Sequence, residues 1–192
     1  MADKKMYVVG YAATWIREPD AAGDVCKEGC FKKSIEKIKR EGLVLPFLFS
    51  HKSSDIYSYI GTVTYLAEDR HGLLFEAVLD NTPEAIRAGE LLKSKRIAGF
   101  SFAYDVLEKG TVKLPDGRTA NELRELDLKE ISVTLYPANR DTSVVSIGEK
   151  NVIDHLLKQA SALLFKDVKR TYRLYKEADA LLIDARIMDQ LK

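Results

Sequence analysis

The chain has 192 residues, 46% apolar and 31% charged, the balance of a folded globular protein rather than a disordered one. Thirty Lys and Arg against 29 Asp and Glu leave a net charge of +1, which gives no phosphate-seeking field and argues against nucleic acid as the main partner. No apolar run approaches the ~18 residues of a membrane span, and the apolar stretch before Thr14 and Arg17 is too short for a signal peptide. With Cys26 and Cys30 its only cysteines, the chain reads as a soluble protein of a reducing cytosol.

From residue 1 to 148, short runs rich in Val, Ile, Tyr, Phe and Thr alternate with turn signals, which predicts a mostly antiparallel β-domain. Strands are expected near 6–16, 43–49, 59–67, 73–80, 97–107, 124–136 and 143–147. Between the first two, Phe31, Ile35 and Ile38 fall on one helical stripe, and Gly42 is placed to end that helix. Glu68 to Gly72 reads as a hairpin turn. The strand after it carries Leu73, Phe75, Ala77 and Leu79 on one face, so one buried face and one largely wet one are expected. Thr82-Pro83 reads as N-cap then first turn of a helix running to about Lys93. Leu114-Pro115-Asp116-Gly117 reads as a second hairpin turn. After Gly148 there is no Gly or Pro, and apolar residues from Ile153 to Ala185 recur every three or four positions. That pattern predicts a long C-terminal amphipathic helix, or two packed back to back, and divides the chain into a β-domain over 1–148 and a helical extension over 149–192.

Three places carry chemistry. His51 follows the apolar run Phe47-Leu48-Phe49, where the chain leaves the core at a sheet rim, and an imidazole there suits a general base. A solvated loop histidine is the plainer reading. Ser101 shares a strand face with Gly99 and Ala103, so little bulk would hinder a substrate backbone approaching its hydroxyl; a crowded face that admits only small residues explains the same pattern. Glu130 lies on a strand face with Ser132 and Thr134, while Ile131, Val133 and Leu135 occupy the other. A carboxylate on so apolar a strand calls for a partner, unless it sits at an exposed edge. Gly-x-Ser-x-Ala hints at a nucleophile elbow, but a strand continues after Ser101 where a helix should begin, and His51 precedes the serine. A metal site from Cys26, Cys30 and His51 would have three ligands and no clear fourth, so buried, inert thiols account better for the cysteines.

In sequence order, Gly10-Tyr11-Ala12, Asp24 to Phe31, the strand ending in His51, Ile60-Gly61-Thr62-Val63, Gly99-Phe100-Ser101, Glu130-Ile131-Ser132 and Pro137-Ala138-Asn139 resemble the tailed-phage prohead proteases. These are serine peptidases of capsid maturation, distantly similar to the herpesvirus assemblins, and the resemblance spans roughly residues 6–147. It implies an α+β fold, a closed and mostly antiparallel β-barrel wrapped by helices. It implies Ser101 as nucleophile, His51 as base and Glu130 as third member, the position where assemblins use a second histidine; His71, Asp127 and Asp141 are other candidates for that place. Arg140 is the oxyanion candidate, since assemblins place an arginine after this strand, and a backbone N–H is equally open. No cofactor is implied. The implied partners are the major capsid protein and the scaffold protein as substrates, the chain itself, and further copies in a homo-oligomer. The implied location is the host cytoplasm, inside the assembling prohead. The alternative is a non-catalytic assembly scaffold that keeps the fold for its shape.

Overall fold

Residues 5–148 are described by a computed structural model, in which the alternating apolar runs form an eight-stranded mixed sheet. Its strands are β1 (Met6–Thr14), β2 (Asp24–Cys26), β3 (Leu45–Phe49), β4 (Tyr59–Glu68), β5 (Gly72–Leu79), β6 (Gly99–Lys113), β7 (Thr119–Thr134) and β8 (Ser143–Gly148). The helices are α1 (Lys32–Glu41) and α2 (Pro83–Lys93). The amphipathic helix expected over 149–192 lies outside the described residues.

β5 pairs with β4 and β1, and β1 pairs with β8, all antiparallel. β7 pairs antiparallel with β6 along its length, and with two short parallel partners: β2 at Asn121 to Leu123 and β3 at Ile131 to Val133. The ladder therefore ends at β6 on one side and β8 on the other, giving a curled half-barrel rather than the closed barrel that the resemblance implies. Side chains bridge the two ends where no ladder does. The Phe100 N–H donates to Thr142 Oγ1 at 3.1 Å, and a Cβ added at Gly10 of β1 would lie 2.5 Å from the Phe100 ring.

Inside the curl sit Phe31, Phe47, Phe75 and Phe100, all fully buried. Phe75 meets Phe100 edge-on at 4.8 Å between centroids, and Phe31 meets Phe102 in the same way at 5.1 Å. Burial of each such ring contributes about 1.5–3 kcal/mol. β5 departs from its expected pattern: Leu74 and Glu76 are buried as well as Leu73, Phe75 and Ala77. The cause is its central position, which sets Tyr11 of β1 beside Leu74 and Tyr65 of β4 beside Glu76.

Both helices begin and end where the sequence signals lie. Thr82 Oγ1 accepts the Ala85 N–H at 3.3 Å to cap α2, and Gly42 ends α1 in the left-handed region at φ 61. Phe31 supplies no side-chain cap to α1; Glu68 Oε1 takes its N–H at 2.9 Å instead. Burial raises the Glu68 carboxyl above the usual carboxylate range, against the opposing pull of that N–H. The β6–β7 hairpin extends further than expected, to a turn at Leu114–Gly117 with Gly117 at φ 89. Leu114 is anchored there in a small second cluster with Val25 and Ala120. No described helix is long and apolar enough to cross a membrane.

Candidate active site

Strand β3 delivers His51. The last rung of its pairing with β7 is the Ser50 N–H to the Val133 carbonyl at 2.9 Å, after which the chain turns sharply. Ser50 and His51 both take positive φ, 56 and 58, a left-handed conformation that is sterically costly for any residue with a Cβ. The turn leaves the His51 side chain 39% exposed, at the rim, while its Nδ1 reaches back to Glu130 Oε1 at 2.6 Å. Glu130 is buried.

A bulge at Lys129 aims Glu130. Ala103 lies opposite Glu130 but Tyr104 lies opposite Leu128, so β7 carries one extra residue at that point. The Leu128 N–H is taken by Ser34 Oγ of α1 at 2.9 Å. Beyond the bulge the face of β7 presents Glu130, Ser132 and Thr134, opposite Ala103, Ser101 and Gly99 of β6. Directly opposed residues of an antiparallel pair project to the same side with Cβ atoms ~5 Å apart, which sets Ser101 beside Ser132. Ser132 Oγ in turn donates to Glu130 Oε2 and accepts the His51 backbone N–H at 3.1 Å.

His51 and Glu130 are thus joined directly, and Ser101 sits on the adjoining strand, half-buried. No hydrogen bond links Ser101 to His51 among the described residues. Ser101 opens onto a cavity of about 110 Å³ shared with Thr14, Asp24, Tyr104, Ala138 and Asn139. Burial, then the nearby carboxylates of Asp24 and Asp20, push the Tyr104 phenol up to about 12. At Gly99 the small face of β6 is explained by crowding, because an added Cβ would lie 2.6 Å from the Pro137 ring. Ser101 lines its cavity together with Phe100, Phe102 and Tyr104 of the same strand.

Other sequence candidates are engaged elsewhere. His71 packs edge-on against Tyr11 at 4.5 Å between ring centroids, on the β4–β5 turn. Asp127 is held by Lys129 at 2.7 Å and by Lys37 at 3.2 Å, and the Lys129 hydrogen bond keeps its carboxyl below the usual range. Asp141 is exposed, its N–H on Asn139 Oδ1 at 3.0 Å. Arg140 is exposed as well, and it is Ala138 and Asn139 that share the cavity with Ser101. Cys30 is buried, and hydrogen bonding with Cys26 followed by burial raises its thiol well above the ordinary range. Among the described residues no three His, Cys, Asp or Glu side chains are placed to hold a metal ion.

Sequence reasoning noted Ser132 on the Glu130 face without giving it a task. A hydroxyl two residues from a carboxylate on one strand face is the signal, since the two side chains then project together.

The fold is similar to that of solved herpesvirus and phage capsid proteases. The Kaposi's sarcoma-associated herpesvirus protease, solved with a hexapeptide phosphonate inhibitor, superposes with a TM-score of 0.52 at 12% identity, over 92% of this chain and 77% of its own. The bacteriophage T4 capsid assembly protease gp21 gives 0.51 at 10% identity, over 68% of this chain and 82% of its own. At these identities the likeness is one of fold. A search of curated protein sequences returns no match. The chain belongs to the Caudovirus prohead serine protease family, whose model matches residues 1–158. It is therefore a protease of phage capsid maturation, and its place of work is the assembling capsid in the host cell.

Proposed function

We propose that this prohead protease is a serine endopeptidase with Ser101 as nucleophile, His51 as general base and Glu130 as the group that orients the imidazole. The observation that carries the reading is the 2.6 Å contact of His51 Nδ1 with the buried Glu130, one strand away from Ser101. With Nδ1–H committed to the carboxylate, the lone pair falls on Nε2, the nitrogen left for the nucleophile. Nε2 takes the Ser101 proton as Oγ bonds to the scissile carbonyl carbon, and the carbonyl π electrons move onto oxygen. As the tetrahedral intermediate collapses, His51 passes the proton to the departing amine. Water then repeats the sequence on the acyl-enzyme. Glu130 stabilises the imidazolium formed in each half. The Ser101–His51 contact closes as substrate binds, which is common where catalytic hydrogen bonds are long in the free enzyme. The oxyanion donor is drawn from the loop over 137–140, either the Arg140 guanidinium or a backbone N–H.

The substrates in this reading are the scaffold protein or the scaffold segment of the major capsid protein, and the chain itself. The extension over 149–192 serves to associate copies of the enzyme or to carry it into the shell. Co-expression with the major capsid protein, followed by intact-mass analysis of every fragment, tests activity and self-processing together. Ser101→Ala should abolish cleavage, a loss on the order of 10⁶ for removal of a nucleophile from such a unit. A fluorophosphonate that labels the parent but not Ser101→Ala supports the assignment. A parent protein that takes no label is instead an assembly scaffold on a protease fold.

A further inference from the structure

Ser132 has no exposed surface, and its one hydroxyl is used twice. Oγ donates its proton to Glu130 Oε2 and accepts the main-chain N–H of His51 at 3.1 Å. Glu130's other oxygen, Oε1, meets Nδ1 of the same histidine at 2.6 Å. These contacts close a ring. His51 is gripped by its main chain and by its imidazole, and both grips end on two neighbouring side chains of one face of β7.

Two anchors restrain what one leaves free. The Nδ1 contact alone would let the imidazole swing with any shift of the turn that carries it. That turn is itself under strain, with left-handed backbone at Ser50 and His51 in succession. Such conformations are sterically costly and persist only where the surroundings hold them. The Ser132 hydroxyl holds this one by a direct hydrogen bond. The same hydroxyl fixes the carboxylate, since its proton on Oε2 leaves Oε1 facing the ring. A serine kept only for its size would need neither partner.

We propose that Ser132 is a positioning residue for proteolysis: its hydroxyl orients the Glu130 carboxylate and clamps the strained His51 main chain, so that Nε2 is presented toward Ser101. The proposal rests on the Ser101–His51–Glu130 reading above.

The test uses the full 192-residue chain and a fluorophosphonate probe, whose saturation kinetics separate the maximal labelling rate from the apparent affinity. Ser132→Ala should keep cooperative thermal unfolding and lose about 10²-fold in maximal rate, the scale of a ~1 Å misplacement, with affinity within about twofold. Ser132→Thr keeps the hydroxyl and should restore most of the rate. The double variant Ser132→Ala/Glu130→Gln should label more slowly than Glu130→Gln alone by well under the Ser132→Ala loss, because the carboxylate half of the role is already gone and only the main-chain clamp is left to lose. A Ser132→Ala rate within about twofold of the parent, or losses that multiply in the double variant, would overturn the proposal. If Ser132→Ala does not fold, Ser132→Thr decides: folded and near the parental rate it supports the clamp, folded and about 10²-fold slower it refutes it. Label taken up by Ser101→Ala overturns the triad itself, and the role of Ser132 with it.

Discussion

Strand β7 carries two buried glutamates, and their surroundings differ in one decisive respect. Glu122 is held by Arg17 at 2.8 Å and by Arg124 at 3.0 Å, and the Arg17 hydrogen bond in particular keeps its carboxyl below the usual range. Glu130 meets an imidazole nitrogen and a serine hydroxyl. A guanidinium is a permanent cation, so the pairing at Glu122 is complete in the resting protein and ties the N-terminal segment to the hairpin arm. An imidazole becomes a cation only on gaining a proton. The pairing at Glu130 is therefore one that would strengthen on protonation of His51, as the proposed mechanism requires. One carboxylate is fastened, the other is poised, on the same strand.

Substitution can break that contrast from either end. Glu130→Gln should cost about 10⁴ in fluorophosphonate labelling rate, since an amide cannot support the imidazolium, while thermal unfolding shifts far less. Glu122→Gln should do the reverse: about 1–3 kcal/mol of stability lost at pH 7 and no change in labelling, because the arginines lose their charged acceptor. The sign of its pH dependence follows from a lowered carboxyl. Glu122 stabilises the fold above the unfolded value of ~4.3, and that contribution disappears as pH falls through the lower folded value. Melting temperatures of parent and Glu122→Gln should therefore differ at pH 7 and converge toward pH 3; a gap that widens in acid would contradict the pairing. The smallest effect belongs to Arg124→Gln, about 0.5 kcal/mol or less, because its guanidinium is partly in water and Arg17 remains.

Much of the fold was legible because its punctuation is local. Thr82-Pro83, Gly42 and the Pro-Asp-Gly turn each act through their own backbone preferences, and the structure places a helix start, a helix end and a hairpin turn there. Long-range pairing was less so. Strand β2 is three residues long and owes its place to β7, which no period in its own sequence announces. The open seam between β6 and β8 is likewise a property of the whole sheet. At the candidate site, residue types suggested His51, Ser101 and Glu130, and the chain does bring the first and last together. What escaped was how. Positive φ is usually signalled by Gly or Asn, and Ser50-His51 gives no such sign. The bulge at Lys129 shifts the parity of β7, so a strict alternation counted from Leu126 would have turned Glu130 inward.

The loop between β7 and β8 is stitched to β6 on both sides of its bend: the Pro137 ring covers Gly99, and Thr142 takes the N–H of Phe100. Both stitches land on the two residues before Ser101. Ser101 and the loop consequently share one mechanical frame, so a substitution that shifts Pro137 or Thr142 is expected to be felt at Ser101 as well.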